Sequence, residues 1–145
     1  MTCLTVLDIS GTALDRAQRR LGPQQQLVTW IETDVTAQWQ VPPVDIWHDR
    51  AVFHFLTDER DRAAYLERLR ENLKSSGWVI IATFALDGPA KCSGLPVIRY
   101  SPDSLGAELG PDFKLVDLQV EQHHTPAGAH QSFCYTRFRR SRLPR

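Results

Sequence analysis

The chain has 145 residues, 42% of them hydrophobic and 23% charged, with a formal net charge of zero. That is the composition of one soluble globular domain of ordinary size, able to bury a core without disulfides or a structural metal. The neutral balance excludes nucleic-acid or membrane-surface binding driven by bulk charge, and no apolar run approaches the ~20 residues of a membrane span.

The three cysteines, Cys3, Cys92 and Cys134, are odd in number and widely spaced. They fit reduced thiols in a cytoplasmic protein, and the N-terminus shows no signal-peptide pattern. The basic cluster Arg137, Arg139, Arg140, Arg142 and Arg145 reads as a solvated terminus.

The first element is a short β-rich run, Cys3 to Leu7, ending in Asp8-Ile9-Ser10-Gly11. Ser10 can cap a helix, and Ala13 to Leu21 has helical spacing before Gly22-Pro23 stops it. Leu27 to Ile31 reads as a second strand, with Asp34 just beyond its end, and Val44 to Trp47 as a third. Asp58 to Lys74 is the clearest helix, with Ala63, Leu66, Leu69 and Leu73 forming an apolar stripe. Ser75-Ser76-Gly77 breaks it, and Trp78 to Phe84 is a nearly continuous apolar strand of the kind covered on both faces in parallel sheets. Asp87 to Tyr100 lacks periodicity and is a candidate lid loop, with a mobile surface loop as the alternative. A short helix follows from Ser101-Pro102 through Leu109. Phe113 to Val120 and Gln131 to Phe138 then form an antiparallel pair.

This alternation predicts a single α/β domain over residues 1–145: a Rossmann-like, mostly parallel sheet with helices on both faces and a C-terminal antiparallel strand pair. Ligands in such sheets bind outside the carboxyl ends of the strands. Asp8, Asp34 and His48-Asp49 all fall at expected carboxyl ends. The stretch "DIWHDRAVFHFL", Asp45 to Leu56, turns from apolar to charged at His48, Asp49 and Arg50, as if a buried strand ended there.

These residues resemble the class I S-adenosylmethionine-dependent methyltransferases over nearly the whole chain. "LTVLDIS" is similar to that family's second strand, "IETDV" to its adenine-bracketing segment, "VDIWHDRAVFHFL" to its fourth strand and exit, and "SSGWVIIATF" to its fifth strand. The family's glycine-rich first loop has no counterpart before Cys3. The first strand and helix of the family fold are therefore expected to be missing, as in an N-terminally truncated methyltransferase. Loss of a central strand predicts that Cys3–Leu7 and Val44–Trp47 close up and pair directly. Otherwise the gap is filled by another chain, as in self-association through the exposed sheet gap.

The resemblance implies S-adenosyl-L-methionine as cofactor and a small-molecule or protein methyl acceptor. Asp8 would hold the ribose hydroxyls with Ile9 against the ring edge, and Asp34 and Val35 would bracket the adenine. His48 would lie near the sulfonium, with Asp49 or His48 as the base that takes a proton from the acceptor. Arg50, Arg99 and Tyr100 are candidate acceptor-binding residues. Each has a plainer alternative: a turn or cap acid for Asp8 and Asp34, a helix cap over Arg50 to Leu56 for Asp49, a salt bridge for Arg50. His54, set among apolar residues, reads as a core histidine, and the spacing of His48 and His54 argues against a metal site. A non-catalytic binding module is the second reading of the whole chain.

Overall fold

The computed structural model describes residues 3–142. Arg145, one of the tail arginines, lies outside the described residues. The chain divides into two compact units, Met1–Trp39 and Gln40–Arg145.

In the first unit, β1 (Leu4–Asp8) and β2 (Val28–Glu32) pair in parallel, with Asp8 opposite Glu32. Helix α1 (Gly11–Leu21) joins them. It begins earlier than its apolar spacing implies because Ser10 caps it, accepting from the Ala13 amide at 3.1 Å. Arg19 and Arg20 occupy its last turn, beside the negative end of the helix dipole. Gly22, at φ 67, ends it through the left-handed backbone that glycine adopts freely. Leu27 belongs to a 3-10 segment ahead of β2 rather than to the strand.

In the second unit, β3 (Val44–Arg50) runs parallel to β4 (Leu73–Phe84). The short strands β5 (Lys91–Cys92) and β6 (Leu95–Pro96) form a hairpin inside the expected loop. Strands β7 (Phe113–His124) and β8 (His130–Arg140) close the chain as an antiparallel pair, giving the sheet order β3-β4-β8-β7.

Two helices belong to this unit. Helix α2 (Glu59–Asn72) is capped by Asp58, which accepts from the Arg60 amide at 2.8 Å. Helix α3 (Pro102–Leu109) starts with a reciprocal Ser101–Ser104 capping box. Both pack on the same face of the sheet. Tyr65 of α2 meets Trp47 of β3 edge to face at 5.4 Å between ring centroids. Gly106 of α3 stands against the Phe138 ring of β8. The core on that face includes the fully buried Leu69, Val79, Ile81, Leu105, Leu109 and Phe138.

Three expectations are corrected. Direct pairing of the first and third strands is not found among the described residues, where β1 and β3 belong to separate sheets and β3 pairs with β4. Ser75-Ser76-Gly77 is not what ends the helix: α2 stops at Asn72 and β4 begins at Leu73, so the three residues lie inside the strand. The irregularity is absorbed within the strand, at Ser76 (φ 64) and in the register shift opposite Val44 and Ile46. The C-terminal arginines up to Arg140 are not a loose tail but part of β8. Among the described residues, no helix is long and apolar enough to cross a membrane.

Candidate functional site

In the first unit the candidate residues gather at the carboxyl ends of two adjacent parallel strands. Asp8 closes β1, and its main-chain carbonyl accepts from the Thr33 amide at 3.0 Å, just past the end of β2. One Asp8 carboxylate oxygen, Oδ1, accepts from the Ser10 amide at 2.8 Å, which shapes the turn into α1. That is the cap-acid role. The second oxygen has no hydrogen bond among the described residues and can still accept from a hydroxyl. Ile9 beside it is 69% exposed, an apolar side chain presented to solvent where a flat ring could cover it.

Asp34 lies two residues beyond β2 and is exposed. Its Oδ1 accepts from the Thr36 amide at 2.8 Å and from the Thr36 hydroxyl at 2.7 Å, an Asx turn that fixes the carboxylate at the end of the strand. Val35 is half-buried, and its carbonyl accepts from the Trp39 indole at 2.8 Å. The four residues assigned to the adenosine part thus stand on one edge of this unit. A carboxylate with an open oxygen beside an exposed apolar side chain suits a ribose diol and an adjoining ring.

The second unit places its candidates at the end of β3, but not all on one side. The strand continues through Arg50, so the charged trio does not lie past its end as expected. Side chains alternate along it: His48 and Arg50 are exposed, and Asp49 between them is buried. Arg50 lies over the Phe133 ring, 5.5 Å from its centroid.

Asp49 is turned inward and fully engaged. Its Oδ1 accepts from the Val52 amide at 2.9 Å, and its Oδ2 from the Phe53 amide at 3.1 Å and the Tyr65 hydroxyl at 2.6 Å. Burial pushes its carboxyl above the usual carboxylate range, while the hydrogen bonds and the nearby His48 pull the other way. This is the geometry of a cap. Asp49 closes the turn at Ala51 (φ 62) and the 3-10 helix Phe53–Phe55, the ordered remainder of the helix expected over Arg50 to Leu56.

His54 is fully buried, as a core histidine. Its Nδ1 accepts from the Phe84 amide at 3.1 Å, and desolvation lowers its pKa to about 4. His48 is exposed and His54 is inside the protein, so the two do not face one space.

Arg99 and Tyr100 differ from each other in the same way. Arg99 is exposed, and its guanidinium donates to the Gly88 carbonyl at 3.1 Å, bracing the loop that contains β5 and β6. Tyr100 is 3% exposed and packs on Phe53, so its expected place as an outward handle is corrected to a core position. Burial pushes its hydroxyl up to about 12. Cys92 and Val97 of the loop pack against the Ala82, Phe84 and Phe133 cluster.

The Tyr65 hydroxyl was missed in the sequence. It links Asp49 to the Trp47 indole, which donates to it at 2.9 Å. No spacing rule announces a pair sixteen residues apart, on a strand and a helix. His123, His124 and His130 sit at the exposed end of the β7–β8 hairpin, where His124 pairs across the strands with His130.

The family profile described as "Methyltransferase domain" matches residues 2–81. No curated protein matches the sequence. Among solved structures, the N-methyltransferase NodS from Bradyrhizobium japonicum WM9 superposes with a TM-score of 0.73 at 18% identity, covering 96% of this chain and 74% of that one. NodS in complex with S-adenosyl-L-homocysteine gives 0.73 at 19% identity, covering 95% of this chain and 66% of that one. A SAM-dependent methyltransferase from Methanosarcina mazei gives 0.74 at 11% identity, covering 96% and 82%. These similarities show the Rossmann-like fold, and the chain spans about two thirds to three quarters of the NodS chains. With more than half of its length matched by the family profile, the chain belongs to the methyltransferase domain family.

Proposed function

We propose that the chain serves S-adenosylmethionine-dependent methyl transfer to an acceptor that its residues do not name. The observation that carries this reading is the edge formed by Asp8, Ile9, Asp34 and Val35 at the carboxyl ends of β1 and β2. Asp8 has one oxygen free for a ribose hydroxyl, and Ile9 offers an exposed apolar surface beside it. Asp34, held by Thr36, accepts from the adenine amino group, with Val35 against the ring.

When bound, S-adenosylmethionine supplies an electrophilic methyl group on a sulfonium leaving group. The protein's part is to align an acceptor lone pair with that carbon and to receive a proton if the acceptor carries one. His48 is the residue proposed for the proton, since it is exposed at the end of β3. Asp49 acts one step back, as the residue that positions the β3 exit turn. Arg50 and Arg99 are the cations proposed for an acidic acceptor group.

Calorimetry with S-adenosylhomocysteine tests this reading. Weak, saturable binding that Asp8→Ala abolishes supports it. The edge at Asp8, Ile9, Asp34 and Val35 offers few hydrogen bonds, each worth about 0.5–1.5 kcal/mol, so weak binding is expected. Absence of binding at millimolar ligand would overturn the cofactor assignment. Absence of binding would favour the second reading, a non-catalytic methyltransferase-like domain, to which the inward-turned Asp49 also points.

A further inference from the structure

The closing hairpin outreaches the sheet it belongs to. Strand β4 last pairs with β8 at Phe84, opposite Phe133, and its continuation reaches only Ser132, whose carbonyl accepts from the Ala85 amide at 2.9 Å. Beyond that point β7 and β8 run on as a two-stranded ribbon to the pair His124 and His130. The turn that follows fixes their register. The Thr125 amide donates to the Ala129 carbonyl at 2.9 Å, the Ala129 amide donates to the Thr125 hydroxyl at 3.1 Å, and Gly128 supplies the left-handed step at φ 85. Thr125 and Ala129 are thus joined by a backbone hydrogen bond. By the alternation of an antiparallel ladder, His124 and His130 form a non-hydrogen-bonded pair, the kind whose side chains stand closest.

The two imidazoles lie 4.3 Å apart between ring centroids, at 69° to each other. Both residues are exposed, and among the described residues neither imidazole takes part in an ion pair or a side-chain hydrogen bond. A metal ion about 2.0–2.1 Å from one nitrogen of each ring, with its bonds at right or tetrahedral angles, holds the ring centres about 4.5–5 Å apart. The rings have only to turn and part slightly to reach that arrangement. His123 does not join them. It belongs to the opposite face of the ribbon, where its ring stands 6.1 Å from that of Phe133, and Glu121 shares that face. On the face of the histidine pair the next residues are Gln122 and Ser132, neither of them a carboxylate. Among the described residues no group of three or more His, Cys, Asp or Glu converges, so the pair is a site of two protein ligands.

We propose that His124 and His130 chelate one transition-metal ion of the class that prefers imidazole, zinc(II), nickel(II) or copper(II), at the tip of the hairpin. Each ring gives one neutral nitrogen, and solvent fills the remaining positions, which makes this an exchangeable site and not a structural centre. Magnesium and calcium, which take oxygen ligands, find no carboxylate on that face and are not held. The paired strands and the tight turn hold both histidines in place before the ion arrives, so little ordering is left for binding to do. The inference concerns the ribbon alone and is independent of the methyl-transfer reading.

The test is an NMR titration of the full chain with nickel(II) chloride at neutral pH in a non-chelating buffer. Paramagnetic nickel broadens the signals nearest to it and so locates its own site. The signals of His124, His130 and the turn Thr125–Ala129 should broaden first and saturate at one ion per chain. His124→Ala and His130→Ala should each weaken binding at least about tenfold, because the second imidazole is no longer presented at high effective concentration. Both positions are exposed, so the variants keep the fold, which their melting temperatures without metal check. His123→Ala, one residue away on the other face, should bind as the parent does. Magnesium chloride should leave all these signals unchanged. Broadening centred on Cys3, His48 or His123 would overturn the proposal. So would parental affinity in either His124→Ala or His130→Ala, or one ion bound per two chains.

Discussion

Tyr65 donates its hydroxyl proton to the Asp49 carboxylate across 2.6 Å and ties α2 to β3 at a buried point. The same hydroxyl accepts from the Trp47 indole at 2.9 Å, so one strand holds it through two residues of one face. Burying a carboxylate is costly unless its lone pairs are met, and here three donors meet them.

Removing the carboxylate should therefore act on stability first. Asp49→Ala leaves the Val52 and Phe53 amides and the Tyr65 hydroxyl without their acceptor, and should cost about 2–4 kcal/mol. Asp49→Asn keeps an acceptor oxygen and should cost less than half of that. Tyr65→Phe should cost about 1–2 kcal/mol, with a non-additive double mutant. Urea denaturation of the four proteins checks the order. An Asp49→Ala protein with unchanged stability would return Asp49 to the reacting site.

Buried His54 should give an acid-sensitive fold. Its pKa in the folded protein is about 4, below the ordinary 6.5. As pH falls below 6.5 the unfolded chain takes up the proton first, so stability drops between about 6.5 and about 4. Asp49 contributes a slope of opposite sign: its folded pKa is raised, so stability falls as pH rises above the ordinary 3.8. Thermal melts across this range should show His54→Asn flattening the first slope and Asp49→Asn removing the second. Asn fits the test at His54 because its Oδ1 can accept from the Phe84 amide in place of Nδ1.

Arg140 should matter more than a terminal arginine usually does. Its Nη1 donates to the Arg70 carbonyl at 3.0 Å and the Leu73 carbonyl at 2.6 Å, where α2 passes directly into β4. Those carbonyls belong to a helix end that lacks a glycine cap. Arg140→Ala should cost about 1–3 kcal/mol in denaturant unfolding, and Arg142→Ala close to nothing.

These cases show what the residue pattern could carry. The capped helices were legible because Ser10, Asp58 and Ser101 are local signals. The sequence pattern ends β3 at Trp47, where charge begins, yet the strand runs on to Arg50: as the end strand of its four-stranded sheet it holds His48 and Arg50 exposed while Asp49 turns inward. The closing strands were also underestimated. Their ends, near His124 and His130, are held by backbone pairing where no core requires apolar side chains. The carboxyl-end placement of Asp8 and Asp34 was readable, because a short apolar run followed by an acid and a cap has few other readings in an α/β chain. The Asp49–Tyr65 contact was not, because it depends on how a helix lands on a sheet.

The central claim is that the adenosine-binding edge lies at Asp8–Ser10 and Asp34–Thr36. Backbone NMR of the chain titrated with S-adenosylhomocysteine tests it most directly. The expected result is weak binding with the amide shifts concentrated in those two segments, lost in Asp8→Ala while the melting temperature changes little. Binding that moves neither segment, or that persists undiminished in Asp8→Ala, would contradict it.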